Sequence, residues 1–242
     1  MIWNPWHGCS KYSEGCKNCY VYRRDASIGK DASIVYKTSS FDMPIKKKRD
    51  GSYKLRSGTF VYACMTSDFF VEEADEWRKE IWPMIKLRSD CTFMIITKRI
   101  ERFIDSIPDD WGEGYSNVWI TSTCENQRVA DIRLPILINS PITKKFIASE
   151  PLLSKIDMDK YLSSGKIAGV VAGGESGINA RVCEYEWILD IREQCLKYDV
   201  PFHFKQTGYR FKKDNKLYLV KRIDQHKQAR KAGINYKYDR LN

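Results

Sequence analysis

Six short runs of apolar, β-prone residues recur along the chain, at 59–65, 92–97, 117–124, 145–149, 168–172 and 200–204. Each run is continuous rather than alternating, the pattern expected of strands in a parallel sheet buried on both faces. Ile2 and Trp3 supply a very short further strand at the start. Two segments between the runs repeat at helical spacing instead. One covers 74–87, with Pro83 marking a kink; the other covers 184–198, with Trp187, Ile188, Ile191 and Cys195 on one face. Strands alternating with helices predict an α/β fold.

The residues after each run carry the functional signal. The runs end in Thr66-Ser67-Asp68, Thr97-Lys98-Arg99, Glu125-Asn126-Gln127, Ser149-Glu150-Pro151, Gly173-Gly174-Glu175-Ser176 and Lys205-Gln206-Thr207. Barrels and open α/β sheets build their sites at the carboxyl ends of strands. A single polar residue there is often a helix cap or a loop salt bridge. Six such ends in succession predict a partial (β/α) barrel of about six to seven mostly parallel strands, its mouth lined by Asp68, Lys98, Arg99, Glu125, Glu150, Glu175 and Lys205.

The barrel is expected to occupy residues 1–208, interrupted by a polar, basic insertion at about 25–57 that reads as a lid or binding arm. A basic extension, 209–242, follows. It is expected to hold a hairpin, 209–211 and 217–220, turning at Asp214-Asn215, and a helix at 224–232.

The net charge of +10 is concentrated in these two pieces. Residues 205–242 hold twelve Lys and Arg against three Asp, and residues 23–58 hold ten against four, so the rest of the chain is acidic. Tyr209, Phe211, Tyr218, His226, Tyr236 and Tyr238 lie among the tail's cations. That mixture suits a nucleic-acid backbone with stacked bases, although a charge run by itself is usually a solvated face. The two basic pieces are expected to flank the barrel mouth.

The first residues have neither a basic n-region nor an apolar h-region, and no stretch approaches the roughly 20 apolar residues of a membrane span. The expectation is a cytoplasmic protein without membrane contact. Thiols stay reduced there, so eight cysteines do not imply a disulfide framework. Cys64, Cys91, Cys124, Cys183 and Cys195 stand in apolar or helical settings and read as packed core thiols.

Cys9, Cys16 and Cys19 are different, because they fall in one eleven-residue stretch. Three thiolates are one ligand short of a structural zinc site, whereas a [4Fe-4S] cluster on three cysteines leaves one iron open to a ligand. Zinc closed by His7 is the competing reading. His203, inside an apolar run, reads as a core histidine. Other chemistries find little support. Gly173-Gly174-x-x-Gly177 lacks the Lys-Ser/Thr of a phosphate loop, no His-Glu-x-x-His occurs, and Ser176 is one residue short of a nucleophile elbow.

The Cys-x6-Cys-x2-Cys loop after a first strand resembles the radical S-adenosylmethionine (SAM) superfamily, whose common spacing is Cys-x3-Cys-x2-Cys. Trp3-Asn4-Pro5, Gly8-Cys9, Ser13-x-Gly15-Cys16-x-x-Cys19-Tyr20, Ser67-Asp68-x-Phe70, Thr97-Lys98-Arg99, Ser149-Glu150-Pro151-Leu152-Leu153, Gly173-Gly174-Glu175-Ser176-Gly177 and Phe204-Lys205-Gln206-x-Gly208 resemble, nearly end to end, a phage-associated three-cysteine-motif family of unknown function. The resemblance implies that Cys9, Cys16 and Cys19 hold the [4Fe-4S] cluster and that its open iron binds SAM. Gly173-Gly174-Glu175 is similar to the superfamily's SAM-amine motif, though it follows a late strand.

The function expected is therefore a radical SAM-like iron–sulfur enzyme acting on a nucleic acid or nucleotide-bearing substrate, with Glu125, Glu150, Gly173, Gly174, Glu175, Lys205 and Gln206 positioning SAM and substrate. Asp68, Lys98 and Arg99 line the same mouth, and Cys124 is a candidate hydrogen donor. A reductant for the cluster and a partner protein are implied. The alternative is a zinc-stabilised nucleic-acid-binding protein without catalysis.

Overall fold

The computed structural model describes residues 1–238. Seven strands form one sheet: β1 (Ile2–Trp3), β2 (Phe60–Ala63), β3 (Thr92–Thr97), β4 (Val118–Thr123), β5 (Lys144–Ser149), β6 (Ile167–Gly173) and β7 (Phe202–Gln206). Each pairs in parallel with the next in chain order, and β1 and β7 are the two edges. Unbroken sequential order is the topology of a barrel rather than of a doubly wound sheet, in which the order reverses. With the edges apart, the sheet is a curled half-barrel with helices around it.

The helices are α1 (Tyr20–Ala26), α2 (Asp75–Leu87), α3 (Gln127–Asn139), α4 (Asp159–Leu162), α5 (Tyr185–Lys197) and α6 (Arg222–Lys231). Helix α3 escapes the periodicity argument, because Pro135 interrupts it and its apolar residues lie on more than one side. Its start is legible: the Asn126 side chain accepts from Val129 N at 3.0 Å, an N-cap. Pro83 lies within α2.

The two faces of the sheet differ. Trp3, Val61, Ala63, Phe93, Ile95, Val118, Ile120, Ile147, Val170, Ala172, Phe202 and Phe204 point toward the helices and are buried. The alternating positions face the concave side, where Phe60, Tyr62, Ile96, Trp119, Phe146, Val171 and His203 are only half-buried and Ile2 is exposed. Burial on both faces, expected from the continuous apolar runs, therefore holds only in part. The concave residues are apolar but face an open half-barrel, and hydropathy cannot distinguish that from a core.

The insertion also divides. Its first part stays near the carboxyl ends of the strands, where Tyr36–Lys37 pairs with Trp6–His7 and Arg23 donates to Ser176 O. Its second part bends at an isolated bridge between Lys47 and Tyr53 and leads directly into the amino end of β2. Arg88, just past the far end of α2, donates to Pro44 O and Leu55 O. Lys47, Lys48, Arg49, Lys54 and Arg56 consequently lie at the end of the barrel opposite the mouth, not flanking it as expected. The C-terminal hairpin (Arg210–Lys213, Lys216–Leu219) does stand at the mouth, pairing with Cys183–Glu184, and α6 packs along β7. The final four residues of the expected extension lie outside the described residues. None of the described helices is long and apolar enough to cross a membrane.

Candidate functional site: a cysteine loop across the mouth of the half-barrel

After β1 the chain crosses the carboxyl ends of the strands as a loop carrying all three clustered cysteines. Gly8 begins it at φ +90°, donating to Thr66 O, and a Cβ there would lie 2.0 Å from Ile34 O. Only glycine fits. Cys9 N donates to Ala32 O, a single helical turn (Glu14–Cys16) presents Cys16, and Cys19 is the N-cap residue of α1. All three cysteines are partly exposed, whereas Cys64, Cys91, Cys124, Cys183 and Cys195 are buried as expected. Burial pushes the Cys124 thiol up to about 12, which keeps it protonated and packed.

Three of the polar strand ends, those of β3, β4 and β6, each hold a different part of this loop. From the end of β3, Arg99 donates to Ser10 O at 2.9 Å and Ser10 Oγ at 2.8 Å, places Nη1 3.6 Å from Cys9 Sγ, and stacks over the Tyr12 ring. Asp68 sits behind it. Its carboxylate accepts from Thr97 Oγ1, Lys98 N and Phe70 N and lies 3.6 Å from Arg99 Nη1. From β4, Glu125 accepts from Gly15 N at 3.0 Å and from Ser13 Oγ, while Arg133 of α3 donates to its other oxygen at 3.1 Å. From β6, Glu175 accepts from Asn18 Nδ2 at 2.9 Å and is gripped by Arg181 through Nε, Nη2 and the backbone N–H. Tyr20 closes the circuit by donating to Met65 O beyond β2.

The electrostatics follow from this packing. Burial would raise the Glu125 and Glu175 carboxyls, but their hydrogen bonds and the adjacent Arg133 or Arg181 prevail and hold both below the ordinary range. Cys9 is pushed up to about 11, by burial first and then by Asp68, with Arg99 opposing. A metal in contact with the sulfur would reverse that preference, because coordination deprotonates a thiol.

Glu125 and Glu175, expected to position SAM and substrate, thus have oxygens taken up by the loop. Glu150 and Lys205 face the groove, forming a 2.7 Å ion pair at its rim. Burial disfavours the Lys205 charge, yet Glu150 outweighs it and the ammonium is held above its usual value. Gly173 and Gly174 serve a close approach between strand ends: a Cβ at Gly174 would lie 2.2 Å from Thr207 O. Gln206 donates to Gly174 O at this junction. Lys98 reaches the loop beside Gly15, where its Cε would lie 3.2 Å from an added Cβ. Asp68, Lys98, Arg99, Glu125 and Glu175 therefore surround the loop, while Glu150 and Lys205 form a second group below it.

The sequence reading gave no role to Ser13, Asn18, Arg133 and Arg181, which hold or balance these carboxylates, nor to Tyr20, and it missed the half-open aromatic face. Arg133 and Arg181 have no local signature; only the fold brings them in. His203, expected in the core, is half-buried on the concave side, its ring stacked on Tyr238 at 4.0 Å and 10°. A cavity of about 310 Å³ opens on another flank of the loop, lined by Ser10, Tyr12, Glu72, Arg99, Glu101 and Arg102 among others, and includes none of the groove residues.

Among the described residues no three His, Cys, Asp or Glu side chains are gathered to hold one ion. A zinc site would need sulfurs only ~3.8 Å apart, from tetrahedral bonds of ~2.3 Å. His7 is also engaged elsewhere, with Nε2 2.5 Å from Asp25 Oδ2 in a buried pair. A cube-shaped cluster asks for wider spacing, because each thiolate holds a different iron. Cys9, Cys16 and Cys19 are all partly exposed and share one anchored loop.

A family model described as Protein of unknown function (DUF5131) matches residues 1–238. No curated protein and no solved structure matches the chain.

Proposed function

For this chain, which belongs to the DUF5131 family, we propose the function of a radical SAM-type iron–sulfur enzyme, phage-associated and working in a reducing cytoplasm, with a nucleic acid or nucleotide-bearing substrate. One observation carries the reading: a three-cysteine loop is anchored by the ends of β3, β4 and β6 across the mouth of a parallel half-barrel whose concave face is open beneath it.

Cys9, Cys16 and Cys19 would hold a [4Fe-4S] cluster, leaving one iron without a protein ligand. When bound, such a cluster supplies the electron for reductive cleavage of SAM at that iron. The chain's own residues set the conditions. Arg99 brings positive charge and a donor to Cys9 Sγ, and Glu125 and Glu175 fix the loop so that its sulfurs keep their spacing. Lys205 and Glu150 present a cation and an anion at the groove rim, suited to the carboxylate and ammonium of an amino acid such as SAM or to a substrate's polar edge. The half-buried aromatics beneath exclude water from part of the groove.

The basic hairpin at the mouth supports the choice of substrate, since Arg210, Lys213 and Lys216 are available to phosphates there. Zinc closed by His7 draws no comparable support, because His7 is paired with Asp25. Reconstitution with iron and sulfide, followed by spectroscopy with and without SAM, tests the proposal; zinc alone bound in the presence of iron and sulfide would overturn it.

A further inference from the structure

The C-terminal segment enters the groove. Tyr236 pairs with Phe202 through both backbone groups at the edge of β7, and Lys237 then adopts φ +44°. A left-handed backbone is unfavourable for lysine and persists only where the surroundings enforce it. Here the bend carries Tyr238 onto the concave face. Its ring lies parallel to His203 at 4.0 Å, and burial together with Tyr62, across the open side of the half-barrel, raises its phenol. His203 Nδ1 is buried without a hydrogen bond of good geometry among the described residues, and the Asn235 side chain lies close to the imidazole. Lys205, on the same strand, and Glu150, just past the end of β5 two strands away, offer a donor and an acceptor at the rim. A flat ring in a half-apolar slot, with a donor–acceptor pair nearby, is the environment that reads an unstacked base by its face and its edge.

We propose that the His203 slot binds one nucleobase of a single strand and that Tyr238 occupies it in the free protein, so that the tail must leave when the base enters. The inference rests on the nucleic-acid part of the proposed function and deepens it. The basic hairpin at the mouth is placed to hold the flanking phosphates while the base enters the groove. Tyr238 then acts as a stand-in for the base, keeping the slot dry and setting a threshold that weakly stacking ligands do not pass.

The test is the binding of fluorescently labelled oligo(dA) to the full chain, measured by anisotropy at fixed salt for wild type, Tyr238→Ala and His203→Ala. Removing the competitor should tighten binding about three- to tenfold in Tyr238→Ala. Removing the stacking platform should weaken it about tenfold in His203→Ala. If His203→Ala does not fold, Tyr238→Ala, altered only in the tail, carries the test alone. Equal affinity in Tyr238→Ala and wild type, or no binding by either, overturns the slot. Iron content and the response to SAM, measured on the same preparations, report separately on the enzyme reading, so the two can fail independently.

Discussion

Asn18 Nδ2 donates to Glu175 Oε2 at 2.9 Å, joining residues 157 positions apart. That contact places the last cysteine of the loop over β6, just as Glu125 places Gly15 over β4 and Arg99 places Cys9 over β3. The half-barrel is in this sense the loop's frame, and the polar strand ends are its fastenings.

Glu125→Ala should be the most damaging of these changes. It leaves the Arg133 guanidinium buried without its partner, a loss of about 3–5 kcal/mol, and a lower melting temperature by about 10 °C is expected for a chain of this size. Glu125→Gln should recover part of the loss. An unchanged melt for Glu125→Ala would show that the pair contributes nothing.

Acid should loosen the same fastenings. The Glu125 and Glu175 carboxyls titrate lower in the folded chain than the ordinary 4.5, so the unfolded state takes up protons first as pH falls. Their stabilisation is fully present above that value and is lost as pH drops through the folded pKa values. Melts from neutral pH to pH ~3 should show this decline, and Glu175→Gln should make it shallower. A Glu175→Gln curve as steep as wild type would remove Glu175 from the account.

Gly8→Ala should disrupt the loop, since the new Cβ would meet the Ile34 carbonyl at 2.0 Å in a left-handed backbone. Gly51 also has positive φ but open space around it, so Gly51→Ala should cost only about 1 kcal/mol. Comparing iron uptake and melting of the two variants checks the difference; equal effects would mean that the close approach at Gly8 is not limiting.

Substituting Lys212, Lys213, Lys221 and Arg222 together by serine should weaken oligonucleotide binding and reduce its salt dependence, by up to about 3 in the slope of log K against log salt. Binding with an unchanged slope would place the contact elsewhere, for example on the cationic turn at the opposite end of the barrel.

Much of the architecture was legible in the sequence. The runs at 92–97 and 117–124 correspond to β3 (Thr92–Thr97) and β4 (Val118–Thr123), and the turn at Asp214-Asn215 is made by two residues of positive φ. Asp68, Lys98, Arg99, Glu125, Glu150, Glu175 and Lys205 do gather at the carboxyl ends of the strands, because strand direction in a parallel sheet leaves no other place for them. Their division of labour was not legible. Whether Glu175 faces a ligand or Arg181 depends on how 177–182 returns to the sheet, and no periodicity records that. The concave face was hidden for a different reason. Trp119 and Phe146 are as apolar as Ile120 and Ile147, and only the curl of the sheet leaves one set half-open.

The central claim is most directly tested by anaerobic reconstitution with iron and sulfide in the presence of zinc, metal analysis, and electron paramagnetic resonance of the reduced protein with and without SAM. About four irons per chain and a cluster signal that SAM perturbs are expected, with the iron lost in Cys9→Ala, Cys16→Ala and Cys19→Ala but kept in Cys195→Ala. One zinc and no iron, or a cluster whose signal SAM leaves unchanged, would contradict the account.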